Sequence, residues 1–204
     1  MFPFPDPTAP PPSRPPTSPT VPIQRRSPEW ALAELVAGNK RFVEGSSRHG
    51  HQLAAAVAAA TSPRPYAAIV GCMDSRVPVE AVFDQDFGAV CAIRTAGHAL
   101  DGVAVASVTM AVEVLGVALV LVLGHTRCAA IAATLAPESS GRRRNAVTET
   151  IARNIGAIGI EGIGAATGRH VVATVRTLRG SVGSAVAGAV YDVDTGRVEV
   201  LSTV

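Results

Sequence analysis

Short apolar runs alternate with helically spaced apolar positions along most of this chain. Ser27-Pro28-Glu29 supplies a hydroxyl cap, a proline at the first helical position and a first-turn carboxylate, and so predicts a helix start. Leu32, Leu35, Val36, Phe42 and Val43 then recur at helical spacing, giving one apolar face that needs a partner. Tyr66 to Gly71, bounded on one side by Pro63 and Pro65, reads as a buried strand; Pro78 to Phe83 reads as a helical turn, Ala89 to Ile93 as a second strand, Gly102 to Leu115 as a helix and Val117 to Leu123 as a third strand. Asn145 to Gly168 is helical in its first half, and Val171, Val175 and Leu178 have helical spacing. Val186 to Val193 and Arg197 to Leu201 flank the turn Asp194-Thr195-Gly196 and predict a closing hairpin. Strands alternating with helices imply a mostly parallel four- to five-stranded sheet with helices on both faces, an α/β fold.

Two segments invite a different reading. Val103 to Gly124 has the length of a membrane span, interrupted only by Glu113. Glu113 near its centre would cost about 3 kcal/mol, Gly116 divides it, and neither aromatic nor basic anchors flank it. A helix followed by a buried strand accounts for the same residues, so no membrane association is expected. The first 28 residues hold eleven of the fifteen prolines, which neither a helix nor a central strand tolerates. Residues 1–27 are read as a disordered proline-rich tail and 28–204 as one domain. Arg25-Arg26 is followed by no uncharged apolar stretch, so no export signal is expected.

Composition narrows the function. The chain has 204 residues, 48% hydrophobic and 17% charged, enough for one packed core and too little charge for a disordered chain. A net charge of +2 argues against phosphate-backbone binding, and nucleic acid is not an expected partner. Three cysteines are too few and too odd for a disulfide scaffold; they point to free thiols or a metal site in a reducing, cytoplasmic compartment. Lys40 is the only lysine, which disfavours Schiff-base chemistry.

The predicted strands place Cys72 just past the end of the first, and His125 and Cys128 just past the end of the third. Ligands of open parallel sheets bind at the carboxyl ends of strands, so three soft or borderline donors converge where a site belongs. His125-Thr126-Arg127-Cys128 sets two of them three residues apart where a helix should begin. Two thiolates and an imidazole suit Zn2+ and leave a fourth position for water. Asp74 is the candidate fourth donor. It either binds the metal and closes the site, or pairs with Arg76 and leaves the metal open, in which case it can accept the hydrogen bond of a hydroxide formed there. His98 is either a proton shuttle or a hydrogen-bonded structural histidine.

Cys72-Met73-Asp74-Ser75-Arg76-Val77, Arg94-Thr95-Ala96-Gly97-His98 and Gly124-His125-Thr126-Arg127-Cys128 resemble the motifs of the β-class carbonic anhydrases. Gly38-Asn39-Lys40-Arg41-Phe42 and Tyr191-Asp192-Val193-Asp194-Thr195-Gly196 extend the resemblance to about Pro28–Ser202. It implies zinc ligation by Cys72, His125 and Cys128, with Asp74 and Arg76 as a gating dyad. It also implies an obligate homodimer or a multiple such as a homotetramer, whose N-terminal helix packs on the partner subunit. The implied reaction is reversible hydration of carbon dioxide to bicarbonate and a proton by zinc-bound hydroxide. The alternatives are hydrolysis of carbon disulfide or carbonyl sulfide, and a non-catalytic zinc protein with Asp74 closing the site. Three departures bear on substrate binding or on the motif itself. Pro63 stands where the family commonly has a substrate-binding glutamine, Cys91 where relatives often have a pocket phenylalanine, and Ala129 where a glycine usually follows the last ligand.

Overall fold

The computed structural model describes residues 26–137, 144–156 and 162–202, so the proline-rich segment before Arg26 lies outside the described residues. Helix α1 spans Pro28–Val43, its start set by the Ser27 hydroxyl accepting from the Trp30 amide. Helix α2 (Leu53–Ala59) follows, then strand β1 (Ala67–Cys72), the short α3 (Val79–Val82) and β2 (Val90–Thr95). A 3-10 turn at Ala96–His98 leads to α4 (Gly102–Glu113), β3 (Leu119–His125), α5 (Ala129–Leu135), α6 (Ala146–Ile155) and α7 (Ile163–Arg179). Strands β4 (Ala185–Tyr191) and β5 (Val198–Ser202) end the described chain as the expected hairpin.

The sheet order is β2-β1-β3-β4-β5, parallel except for β5. All six residues of β1 and all seven of β3 are buried, because helices cover both faces and no position faces water. One core face gathers Ile69, Phe83, Leu121 and Leu123 with Leu35 of α1. The other gathers Val70, Val108, Val122, Val171 and Leu178 under α4 and α7. Each face, at about 25 cal/mol per Å² of apolar area removed from water, supplies a large share of the folding free energy.

One expectation holds and two details differ. The run from Val103 is broken as expected, with Glu113 exposed at the end of α4, and no helix among the described residues is long and apolar enough to cross a membrane. Helix α2 has no counterpart in the sequence reading: it buries none of its residues, so it carries no periodic apolar signal. Helix α1 buries Ala31, Leu35, Gly38 and Asn39, whereas Val36 of its predicted apolar face is 44% exposed. Close approach explains Gly38, where a Cβ would overlap the Phe83 carbonyl oxygen. Asn39 then donates to the carbonyls of Val82 and Gly196 and accepts from the Val198 amide, tying α1 to α3 and to the hairpin.

Candidate metal centre

The carboxyl ends of β1 and β3 bring Cys72 and His125 onto one rim of the sheet, and the turn after β3 returns Cys128 to them. That turn depends on Arg127, whose φ of 55° lies in the left-handed region, a costly conformation for a residue with a Cβ. It is held from three sides. The Thr126 hydroxyl donates to Asp192 and accepts from the Val193 amide, the Arg127 guanidinium pairs with Asp194 at 2.9 Å, and the Arg127 carbonyl accepts from Arg76. The hairpin turn Asp192–Gly196 therefore clamps the loop between two candidate ligands.

The result is three donor atoms, from Cys72, His125 and Cys128, within 4.8 Å of one another. The two sulfurs are 4.0 Å apart, and Cys72 Sγ accepts from the amides of Asp74 at 3.4 Å and Gly97 at 3.2 Å. His125 Nδ1 lies 2.8 Å from the Thr126 carbonyl, which can only accept, so Nδ1 carries the proton and Nε2 presents its lone pair. That Nε2 is buried and has no hydrogen-bond partner among the described residues. A buried polar atom left without a partner is costly, and a metal ion between it and the sulfurs supplies one. The donor set and the orphaned nitrogen both fit zinc. The hydrogen bond from Cys128 draws the Cys72 thiol well below its usual value against the opposing effect of burial, with help from His125 and the two amides. The remaining thiol, Cys128, is pushed up by its neighbour Cys72 and by burial. Burial works against a charged His125, but the Cys72 thiolate and the Thr126 carbonyl outweigh it and raise the imidazole.

Asp74 is not among the clustered donors. Arg76 holds it in a fork, Nε to Oδ1 at 3.0 Å and Nη2 to Oδ2 at 2.7 Å, and the Arg76 amide donates to Oδ1 as well. This pairing keeps the carboxyl well below its usual range and ionised. Its Oδ2 is still only 3.9 Å from His125 Nε2, so the carboxylate borders the cluster without joining it.

Two residues outside the predicted set shape the site. The Arg94 guanidinium donates to the carbonyls of Cys72 and Asp74, bracing the turn that carries both. His170 reaches the Gly97 carbonyl from α7. Arg94 was visible as part of a motif but without a role, and His170 stands alone in a helix with no signal beyond its residue type. His98 does not fit either expectation. It is buried, stacks on His170 with ring centroids 4.2 Å apart, and neither ring nitrogen has a hydrogen-bond partner among the described residues. Burial, reinforced by the neighbouring His170, drives its basicity far down, so it does not take up protons near neutrality.

The two predicted pocket residues lie elsewhere in this chain. Pro63 precedes β1 and lines a cleft with Trp30, Tyr66, Gln85 and Phe87 at the amino end of the sheet, whereas Cys72 closes the carboxyl end. Cys91 pairs in register with Ala68, four positions before the level of Cys72 and Thr95, about 13 Å at ~3.3 Å per residue. It packs against the α4–α7 side of the core. An extended strand keeps both positions away from the cluster.

Comparison with known proteins agrees with this geometry. Residues 67–161 match the family model described as "Carbonic anhydrase". The chain is 35% identical over 189 residues to carbonic anhydrase 2 of Mycobacterium tuberculosis, covering 84% of this chain and 91% of that protein. Among solved structures it is similar to the β-carbonic anhydrase of Coccomyxa in complex with acetazolamide, with a TM-score of 0.61 and 22% identity over 83% of this chain and 86% of that one. It is also similar to a tetrameric β-carbonic anhydrase of Sordaria macrospora, with a TM-score of 0.57 and 21% identity over 84% and 97% of the two chains. At these identities the solved structures speak for the fold.

Proposed function

This chain belongs to the β-class carbonic anhydrase family, and from that premise we propose that it catalyses the reversible hydration of carbon dioxide to bicarbonate and a proton at the Cys72–His125–Cys128 cluster. The observation that carries the proposal is the orphaned, buried His125 Nε2 facing two sulfurs while Asp74 is held aside by Arg76. In this reading Cys72, His125 and Cys128 would hold a zinc ion, which when bound lowers the pKa of a water to about 7 and so supplies hydroxide at neutral pH.

The chain's own residues do the rest. The Thr126 carbonyl fixes the His125 tautomer, and the Gly97 and Asp74 amides fix the Cys72 sulfur. Arg76 keeps Asp74 ionised and engages both its oxygens. An ionised carboxylate can only accept, so Asp74 orients the nucleophilic water by taking its hydrogen bond and aims the lone pair at the substrate carbon. The Asp74–Arg76 pairing supports an open, catalytic site over a closed, regulatory one. The assembly is a homodimer or homotetramer, in which a second copy covers apolar surface such as Val36 and Met110.

The test is stopped-flow carbon dioxide hydration by protein with measured zinc content, run beside Cys128→Ser and beside carbon disulfide and carbonyl sulfide as substrates. Turnover of carbon dioxide that disappears with the zinc in Cys128→Ser is expected. Full zinc with no carbon dioxide turnover sinks the proposal, and turnover of the sulfur compounds alone replaces it. Light scattering on the same preparation reads the oligomer, and a monomer overturns that part.

A further inference from the structure

We propose that His170, on α7, is a positioning residue for the Cys72 sulfur and acts through Gly97. The inference rests on the reading that Cys72 is a metal ligand. Cys72 Sγ accepts two amide hydrogen bonds. The Asp74 amide belongs to the same turn and arrives with it. The Gly97 amide comes from the end of a different strand and has to be placed by something else.

Gly97 is poorly suited to placing itself. Its φ of 60° and ψ of 29° lie in the left-handed region, and a Cβ there would come within 2.8 Å of Ile151 Cδ1 and 2.9 Å of Ala130 Cβ. The position therefore requires glycine, the residue whose backbone is freest to turn away. The restraint sits on its carbonyl, which lies 2.9 Å from His170 Nε2. A carbonyl only accepts, so Nε2 carries the proton, and Nδ1 is left to accept from the Asn154 amide nitrogen at 3.1 Å. The stacked ring of His98 covers one face of the imidazole. His170 is fully buried, and burial pushes it down to about 4, so the neutral tautomer that this geometry needs is the one present near neutral pH.

The path runs from Asn154 of α6 through His170 and Gly97 to the Cys72 sulfur. Helix α7 also touches the other ligand strand, because Thr167 and Val171 leave no room for a Cβ at Gly124, the residue before His125. An imidazole is costly to bury completely, and its hydrogen bonds to the Gly97 carbonyl and from Asn154 offset that cost. Partners of this kind orient ligands, and losing one typically costs 10- to 100-fold in metal affinity.

The experiment uses the full-length protein loaded with zinc or with cobalt(II), comparing His170→Leu, His170→Gln and Asn154→Ala, with Val175→Ala as a control for core damage. His170→Leu is expected to lose zinc to a chelator about tenfold faster. It should also move the thiolate-to-cobalt charge-transfer band to lower energy, since a sulfur deprived of its hydrogen bond is a better electron donor. His170→Gln keeps an N–H at the ε position and should return both readouts toward the parent. Asn154→Ala should shift them less, in the same direction, and decides the matter if His170→Leu does not fold. Val175→Ala should lower thermal stability and leave the band in place. Parental zinc release and band position in His170→Leu, or a shift as large in Val175→Ala, overturns the inference while leaving the metal site standing. A parent protein with no thiolate-to-cobalt band overturns the metal site and this inference together.

Discussion

The two ends of β1 differ in how their neighbours are recruited. At the carboxyl end, Cys72 meets His125 and Cys128 from the β3 end, Gly97 from the β2 end and Asp194, through Arg127, from the β4–β5 turn. At the amino end, Pro63 and Tyr66 meet Trp30 of α1 and the Gln85–Phe87 segment, with the Tyr66 hydroxyl donating to the buried Gln85 side chain. A parallel sheet delivers every strand's carboxyl end to one rim, so residues far apart in sequence become neighbours there. Along a single strand the opposite holds, and Pro63 and Cys72, close in sequence, are carried apart at ~3.3 Å per residue. Chemistry collects on the rim, and packing anchors collect at the other end.

The sharpest way to break this division is to damage the amino end alone. Asp84 is fully buried there, ion-paired to Arg41 and accepting from the amides of Arg48 and His49. Asp84→Asn should cost about 3 kcal/mol near neutral pH, at the low end for a broken buried pair because the amide still accepts. Burial alone would raise the Asp84 carboxyl, but Arg41 and the two amides hold it below its usual value. A depressed folded pKa stabilises above the unfolded carboxylate range, so the gap between variant and parent should shrink as pH falls below ~4. Thermal melts from neutral to acidic pH measure this, with zinc content in the folded protein unchanged. A variant that melts like the parent at neutral pH contradicts it.

The converse experiment damages the rim alone. Arg76→Ala frees Asp74 and should lower kcat/KM for carbon dioxide hydration 10- to 100-fold, about 1.4 to 2.7 kcal/mol of transition-state stabilisation. The guanidinium is half exposed, so the melting temperature should hardly move. Arg76→Lys should not restore activity, because an ammonium cannot reproduce the fork. Full activity in either variant would remove Asp74 from the mechanism.

The smallest effect is expected where the family resemblance and the single-chain geometry disagree. Pro63→Gln and Cys91→Ser should leave zinc stoichiometry and the cobalt spectrum unchanged, since neither position reaches the cluster within one chain. A change in KM at constant metal content would report that a second copy brings this end of its sheet to the site. Altered metal content would show that the two ends are coupled within the chain.

Much of this arrangement was legible in the residues. The uninterrupted apolar runs of β1 and β3 mark doubly covered strands, the Ser27-Pro28-Glu29 cap marks the start of α1, and Asp194-Thr195-Gly196 marks the hairpin. The spacing of His125 and Cys128, with Cys72 at a second strand end, is enough by itself to assemble the donor set. Local signals of this kind survive because period, caps and turn residues act over a few positions.

Helix α2 left no such trace, being nearly all alanine and packed on nothing that would impose a period. The sequence allowed Asp74 to bind a metal or an arginine, and in the fold Arg76, placed across Asp74 and the Arg127 carbonyl, is the group that engages it. His98 read as a proton shuttle or a hydrogen-bonded structural histidine, and burial against His170 makes it neither, lowering its basicity and leaving its ring nitrogens without partners among the described residues. His170 itself carried no motif. Strand order and helix packing brought it to Gly97, and hydrogen bonds between residues 73 positions apart follow from topology that no local spacing encodes. The residues of this chain determined which donors exist and which rim they reach. The tertiary structure decided which of them face one another, which are held aside and which backbone groups keep them there.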